Sequence, residues 1–162
     1  MLTEAKCREM FEKIRRACPA DEFEALFQST ESALTRFANN IIHQNVAEEK
    51  MSVSVRVLLE GKTARASGNK IDDESLKRLA EQAHESAKLQ PENPDLLLLA
   101  EEQQIYQEVD RYCEETAALT PEARAEAVGK VTALAEKNKL NAAGIFSSGF
   151  TSEVLMSSRG VW

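Results

Sequence analysis

The sequence predicts an α+β fold in which a mostly antiparallel sheet of about five to six strands packs against two or three helices. Two patterns carry that prediction. Val53, Val55, Val57 and Leu59 recur at period two against Ser52, Ser54 and Arg56, as in a strand with one buried face. Cys7, Met10, Ile14 and Ala17, and later Leu76, Leu79, Ala80, Ala83 and Ala87, recur at helical spacing and give each segment one apolar stripe. Strands joined by short connections pair with their sequence neighbours, so the sheet reads as antiparallel.

The chain opens with an amphipathic helix of about four turns, widened by Phe11 and Cys18 and stopped by Pro19. Phe23, Ala25 and Phe27 alternate with Glu24, Leu26 and Gln28, which predicts a short strand running into Ser29, Thr30 and Glu31. A second strand begins at about Ala33 and carries Leu34, Phe37, Ile41 and Ile42, with Asn39-Asn40 as a bulge or bend. Residues 52–67 form a hairpin. With Glu60 and Gly61 as a two-residue loop, Leu59 faces Lys62, Val57 faces Ala64 and Val55 faces Ala66. That register sets Arg56 opposite Arg65. Like charges across a ladder repel, so the pair either has an acidic neighbour or an anionic or carbonyl-rich partner, or is splayed into solvent.

Asp72 is suited to cap the next helix, Asp73 and Glu74 suit its positive end, and Gln90-Pro91 end it. Two prolines and the run Leu96–Leu99 then suggest a long connection pinned to the domain, or to a partner, by those leucines. Thr120 and Pro121 open a third helix whose core face is Val128, Val131, Leu134 and Ala135. Ala142 to Ser148 and Thr151 to Ser158 read as two further strands joined at Ser148-Gly149-Phe150. The length of 162 residues suits one domain, and the abrupt Val-Trp end suggests the front piece of a longer protein.

Twenty basic against 27 acidic side chains give a net charge of −7, which lacks the footprint of a direct nucleic-acid binder. No apolar stretch reaches the roughly 18 residues of a membrane span, and the charged N-terminus is no signal peptide, so a cytoplasmic protein away from membranes is expected. The three cysteines form no CxxC pair, and each reads as a small buried residue.

Candidate chemistry is sparse. A catalytic zinc needs about three protein ligands, and only His43 and His84 are present, on different elements. His84-Glu85-Ser86-Ala87-Lys88 fails as a zinc motif because Lys88 stands where the second histidine belongs; His84 reads as a surface residue at the helix's polar edge. Neither a GxSxG elbow nor a phosphate-cradling glycine loop occurs. No catalytic or metal-ligating residue is therefore assigned, and no cofactor is expected in this chain.

The runs SALTRFANNIIHQN and VSVRVLLEGKTARASGNKIDDESLKRLAEQA, the LTPEARAEAV helix and the closing AAGIFSSG and SSRG segments resemble the N-terminal domain of the TldD/PmbA family, also called modulators of DNA gyrase. The resemblance runs in order from about Phe23 to Trp162. It implies a cytoplasmic protein with a further C-terminal domain. In the TldD branch that domain carries an HExxxH zinc motif and cleaves unfolded or extended peptides; the PmbA branch is a sister subunit without the metal ligands. This chain would then be a non-catalytic wall of the peptide chamber and part of the subunit interface. Zinc would lie in the C-terminal domain or in a partner, and the partners would be a sister subunit or a second copy, plus an extended peptide. The polar row Arg36, Asn39, Asn40 and His43, with Arg65 and Asn69, supplies amide and guanidinium groups suited to peptide carbonyls or to a partner. The same residues could instead cap turns and a sheet edge. The alternative to a peptidase part is a stand-alone adaptor dimerising through Leu96–Leu99 and a free sheet edge.

Overall fold

The computed structural model describes residues 2–20, 22–102 and 107–162. The element order is α1 (Glu4–Ala17), β1 (Glu22–Ala38), β2 (Ile41–Leu59), β3 (Lys62–Gly68), α2 (Asp73–Lys88), α3 (Glu114–Ala117), α4 (Pro121–Lys137) and β4 (Gly144–Ser157). The fold is α+β, and its antiparallel sheet has the order β3-β2-β1-β4. Four long strands thus replace the five to six expected, because two apparent breaks are not breaks.

The first is at residues 29–33. The inward positions Phe23, Ala25, Phe27 and Ser29 continue, past exposed Glu31, into buried Thr35 and Phe37 at the same parity, so one strand spans the polar stretch. The second is at Ser148-Gly149-Phe150, where β4 runs straight through. Gly149 serves close approach there: a Cβ would stand 3.1 Å from the Glu31 carbonyl oxygen on β1. Asn39-Asn40, by contrast, is the actual reversal between β1 and β2. Their φ angles of 52° and 60° are both left-handed, the signature of a type I′ turn, which asparagine tolerates better than most residues. Glu60 and Gly61, at φ 50° and 72°, build the second such turn. The β2–β3 register is the expected one: Leu59↔Lys62, Val57↔Ala64, Arg56↔Arg65 and Val55↔Ala66.

The chain divides into two compact units. The first comprises Met1–Ser29, Met51–Gln107 and Ser152–Trp162, and the second Thr30–Lys50 and Glu108–Thr151.

In the first unit α2 packs on β3 and on α1. Cys7, Met10, Phe11 and Ile14 of α1 and Leu76, Leu79, Ala80, Ala83 and Ala87 of α2 meet Phe23, Ala25, Phe27, Val53, Val55 and Val57 of the sheet. Each fully buried valine there contributes on the order of 1.5–3 kcal/mol relative to exposure. Phe11 and Phe23 stack at 5.2 Å. The cap on α2 is as expected: Asp72 accepts the Ser75 N–H at 2.9 Å and its hydroxyl at 2.8 Å. Burial extends to His84, which is 7 % exposed, contrary to the surface position expected. It stands one turn from both Ala80 and Ala87, so the apolar stripe of α2 is wider than the alanines alone suggest. Of the leucine run, Leu99 is buried while Leu97 and Leu98 are exposed; part of the long connection, 103–106, lies outside the described residues.

In the second unit α4 starts as expected, Thr120 accepting the Ala123 N–H at 3.2 Å with Pro121 in the first turn. Its buried face differs. Val128 and Ala135 are covered, but Val131 and Leu134 are 52 % and 64 % exposed, and Arg124 is buried in their place. Leu134 lies about 120° round the helix from Val128, whereas Arg124, one turn before Val128, brings its long aliphatic stem onto the covered side.

Candidate functional site

The six predicted contact residues divide between the units: Arg36, Asn39, Asn40 and His43 fall in the second, Arg65 and Asn69 in the first. Within the second unit, Asn40 is a structural clasp. Its Nδ2 donates to the Leu140 carbonyl at 3.0 Å and its Oδ1 accepts the Ala142 N–H at 2.8 Å. Its own N–H reaches the Ala142 carbonyl at 3.2 Å. Asn39 Oδ1 accepts from Asn141 Nδ2 at 2.9 Å. The amides expected to face a ligand thus tie the β1–β2 turn to residues 140–142. Arg36 donates to Gln44 Oε1 at 3.0 Å from an exposed position. The His43 side chain is exposed and makes no hydrogen bond or ion pair among the described residues.

In the first unit the Arg56–Arg65 pair has an acidic neighbour. Glu24, whose side chain is 14 % exposed, places Oε1 2.9 Å from Arg56 Nε and 3.3 Å from Arg65 Nη2. The Arg56 contact is an ion pair outside hydrogen-bond angles, leaving that Nε buried without a hydrogen bond. Arg65 also donates to Ser54 Oγ at 3.0 Å. Glu24 therefore offsets part of the positive charge of the two arginines from within the chain. Asn69 is exposed at the rim of a cavity of about 310 Å³ lined by Ser67, Lys70, Ser75, Arg78 and Gln82.

The sequence reading missed two features of the second unit. Arg124, 2 % exposed, has no carboxylate within ion-pair distance among the described residues. Its Nη1 donates to the Leu119 carbonyl at 2.8 Å and to Ser148 Oγ at 3.4 Å, its Nη2 to Asn45 Oδ1 at 3.4 Å, and its Nε has no partner. Nothing in periodicity marks such a residue, since arginine is almost never fully buried unless paired. The second feature is a cavity of about 350 Å³ lined by Glu31, Ala47, Glu48, Glu49, Thr116 and Phe150, among others, with no basic side chain in its wall. Adjacent glutamates at 48 and 49 were the available sequence signal.

The cysteines also separate. Burial pushes the Cys7 and Cys18 thiols up, whereas Cys113 is exposed, against expectation, and held below its ordinary value by the Thr116 hydroxyl and amide. It caps a four-residue helix in a stretch without a core to enter. Among the described residues no three His, Cys, Asp or Glu side chains converge as metal ligands. No helix among them is long and apolar enough to cross a membrane.

Residues 23–87 match the family model for the PmbA/TldA metallopeptidase domain 1. No curated protein matches the chain. Among solved structures, TldE from Thermococcus kodakarensis is similar over 96 % of this chain and 35 % of its own, with 18 % identity and a TM-score of 0.81. A Thermotoga maritima protein described as a modulator of a DNA gyrase is similar over 98 % of this chain and 36 % of its own, with 17 % identity and a TM-score of 0.75. A Bacteroides thetaiotaomicron protein described as a modulator of DNA gyrase covers 99 % and 38 %, with 13 % identity and a TM-score of 0.79. The fold is common to all of them, and the chain spans 35–38 % of their length.

Proposed function

We propose, from the match of residues 23–87 to the family model for the PmbA/TldA metallopeptidase domain 1, that this chain is the non-catalytic N-terminal domain of a TldD/PmbA-type peptidase subunit. In this reading residues 1–162 are one such domain, cytoplasmic, forming part of the wall of a peptide chamber and part of a subunit interface. The zinc belongs to a C-terminal domain or to a partner subunit, and supplies there the Lewis-acid and water-activating chemistry of peptide hydrolysis. The partners are a sister subunit or a second copy, and an extended peptide. The connection to DNA gyrase is indirect, in keeping with the net charge of −7.

The observation that carries the reading is the family match. The second unit offers apolar side chains for the interface role: Ile41, Val131, Leu134, Leu140 and Ile145 are each more than half exposed. Asn39 and Asn40 act in this reading by shaping the turn, which leaves Arg36 and His43 as the groups for peptide or partner in this unit. The test is Arg36→Ala with His43→Ala in the full-length complex. Reduced peptide turnover or weakened assembly supports the role; unchanged values of both overturn it.

A second reading, an adaptor that dimerises without an attached enzyme, draws on exposed Leu97 and Leu98, 83 % and 68 % accessible. The coding sequence after Trp162 separates the two: a stop codon favours the adaptor, several hundred further residues the peptidase subunit.

A further inference from the structure

Successive residues of a strand face opposite sides of its sheet, so the burial of both Val57 and Leu58 means that each side of β2 is covered at that point. Val57 meets the core built by α1 and α2. On the Leu58 side lies the connection that follows α2, fastened at two places. The Asn93 N–H donates to the Gly61 carbonyl at 2.8 Å, and beyond buried Leu99 the Glu102 N–H donates to the Arg159 carbonyl at 3.3 Å.

Between these fastenings Leu96 and Leu98 join Leu58, Leu59, Glu60, Gly61 and Glu22 in lining a cavity of about 440 Å³. All of these residues belong to the first unit. Small-molecule sites commonly hold about 300–1,000 Å³. The wall is leucine and glutamate, and no cation is part of it.

Glu22 is only half used. Its Oε1 pairs with Arg159 Nη1 at 3.2 Å, while its Oε2 is buried without a hydrogen bond. A carboxylate oxygen withdrawn from water without a donor carries a penalty that an entering N–H group removes. Glu60 is exposed and makes no ion pair among the described residues. Leu98 lines the cavity yet is 68 % exposed, apolar surface that an aliphatic ligand would take from water.

From this combination of an under-bonded buried carboxylate and an aliphatic wall, we infer that the cavity binds a primary ammonium group carrying a short branched aliphatic chain. The ammonium donates to Glu22 Oε2, Glu60 adds its charge, and the chain lies against Leu58, Leu96 and Leu98. A free amine and the amino terminus of a polypeptide that begins with leucine or isoleucine present this same chemistry. The site stands independently of the peptidase-subunit reading.

The test uses the full-length protein, treated with a chelator so that no peptide is cleaved, and isopentylammonium as the probe in a ligand-observed NMR titration. The probe should bind saturably, about tenfold more tightly than isopentanol, which lacks the charge, or methylammonium, which lacks the chain. A diazirine analogue of it should cross-link to residues 58–61 or 96–98, as mapped by peptide mass spectrometry. Glu22→Gln should abolish the preference for ammonium over alcohol, whereas Leu98→Ser, at a position already exposed, should weaken both ligands alike. Leucyl-alanyl-alanine amide and its N-acetyl form distinguish the sources. Binding tighter than isopentylammonium and lost on acetylation assigns a polypeptide terminus; binding no tighter assigns a free amine; tighter binding that survives acetylation overturns the inference. No saturable binding of isopentylammonium, equal binding of isopentanol, or cross-links confined to other parts of the chain also overturn it. These measurements run on wild-type protein, so they decide the matter even if a variant misfolds.

Discussion

Replacing Glu24 by glutamine should cost about 2 kcal/mol, because one carboxylate holds together two arginines that the β2–β3 register forces opposite each other. Its contact with Arg56 is the larger part: that guanidinium is 34 % exposed and the carboxylate 14 %, so water screens the pair incompletely, for about 1 kcal/mol. The contact with Arg65, 46 % exposed, contributes about 0.5 kcal/mol after screening. Unmasking the Arg56–Arg65 repulsion supplies the remainder, again about 0.5 kcal/mol. For a chain of this size the loss corresponds to a fall in Tm of about 4–8 °C. Urea unfolding followed by far-UV circular dichroism measures it, with the slope of the transition as a check that the unfolded state is unchanged. In an Arg65→Thr background the same substitution should cost only about 1 kcal/mol, since repulsion and the second contact are already gone. A cost below about 0.5 kcal/mol, or the same cost in both backgrounds, would refute the reasoning.

Asn40→Ala should destabilise the protein by about 2–3 kcal/mol, because alanine at φ 60° is strained and the Leu140 carbonyl and Ala142 N–H lose their partner; chemical denaturation reads the loss. Cys113 should be alkylated by iodoacetamide well before Cys7 and Cys18, and Thr116→Val should slow it, as followed by peptide mass spectrometry. The Ser75 amide beside Asp72 holds its carboxyl below the usual range. A depressed folded pKa stabilises at pH above the ordinary value of about 3.9 and is lost as pH falls through the folded value. Urea midpoints should therefore drop more steeply with acid in wild type than in Asp72→Asn, which keeps the cap but cannot titrate.

The first unit was legible because its chemistry is periodic. Val53 to Leu59 alternate against a core, and the stripes of α1 and α2 face it, so the β2–β3 register, the α2 cap and the buried positions other than His84 follow from the sequence. The second unit buries little, and there the signal fails: Ile41–Lys50 is strand held by backbone ladders with almost every side chain exposed, so no alternation marks it. Asn39-Asn40 was read as a bend because nothing local says that the strands on either side pair with each other. Arg124 and the glutamate-lined cavity arise from contacts distant in sequence, as Arg124 with Asn45 and Ser148 illustrates. Of the six predicted contact residues, spacing identified polar positions but could not separate the turn-building Asn39 and Asn40 from the outward His43.

Metal content and peptidase activity, measured side by side on the full-length complex and on residues 1–162 alone, test most directly the claim that the chemistry lies outside this chain. The account predicts zinc and chelator-sensitive hydrolysis of extended peptides in the complex, and neither in the 162-residue piece. Stoichiometric zinc held by the side chains of the piece, or hydrolysis by it unaided, would contradict the account.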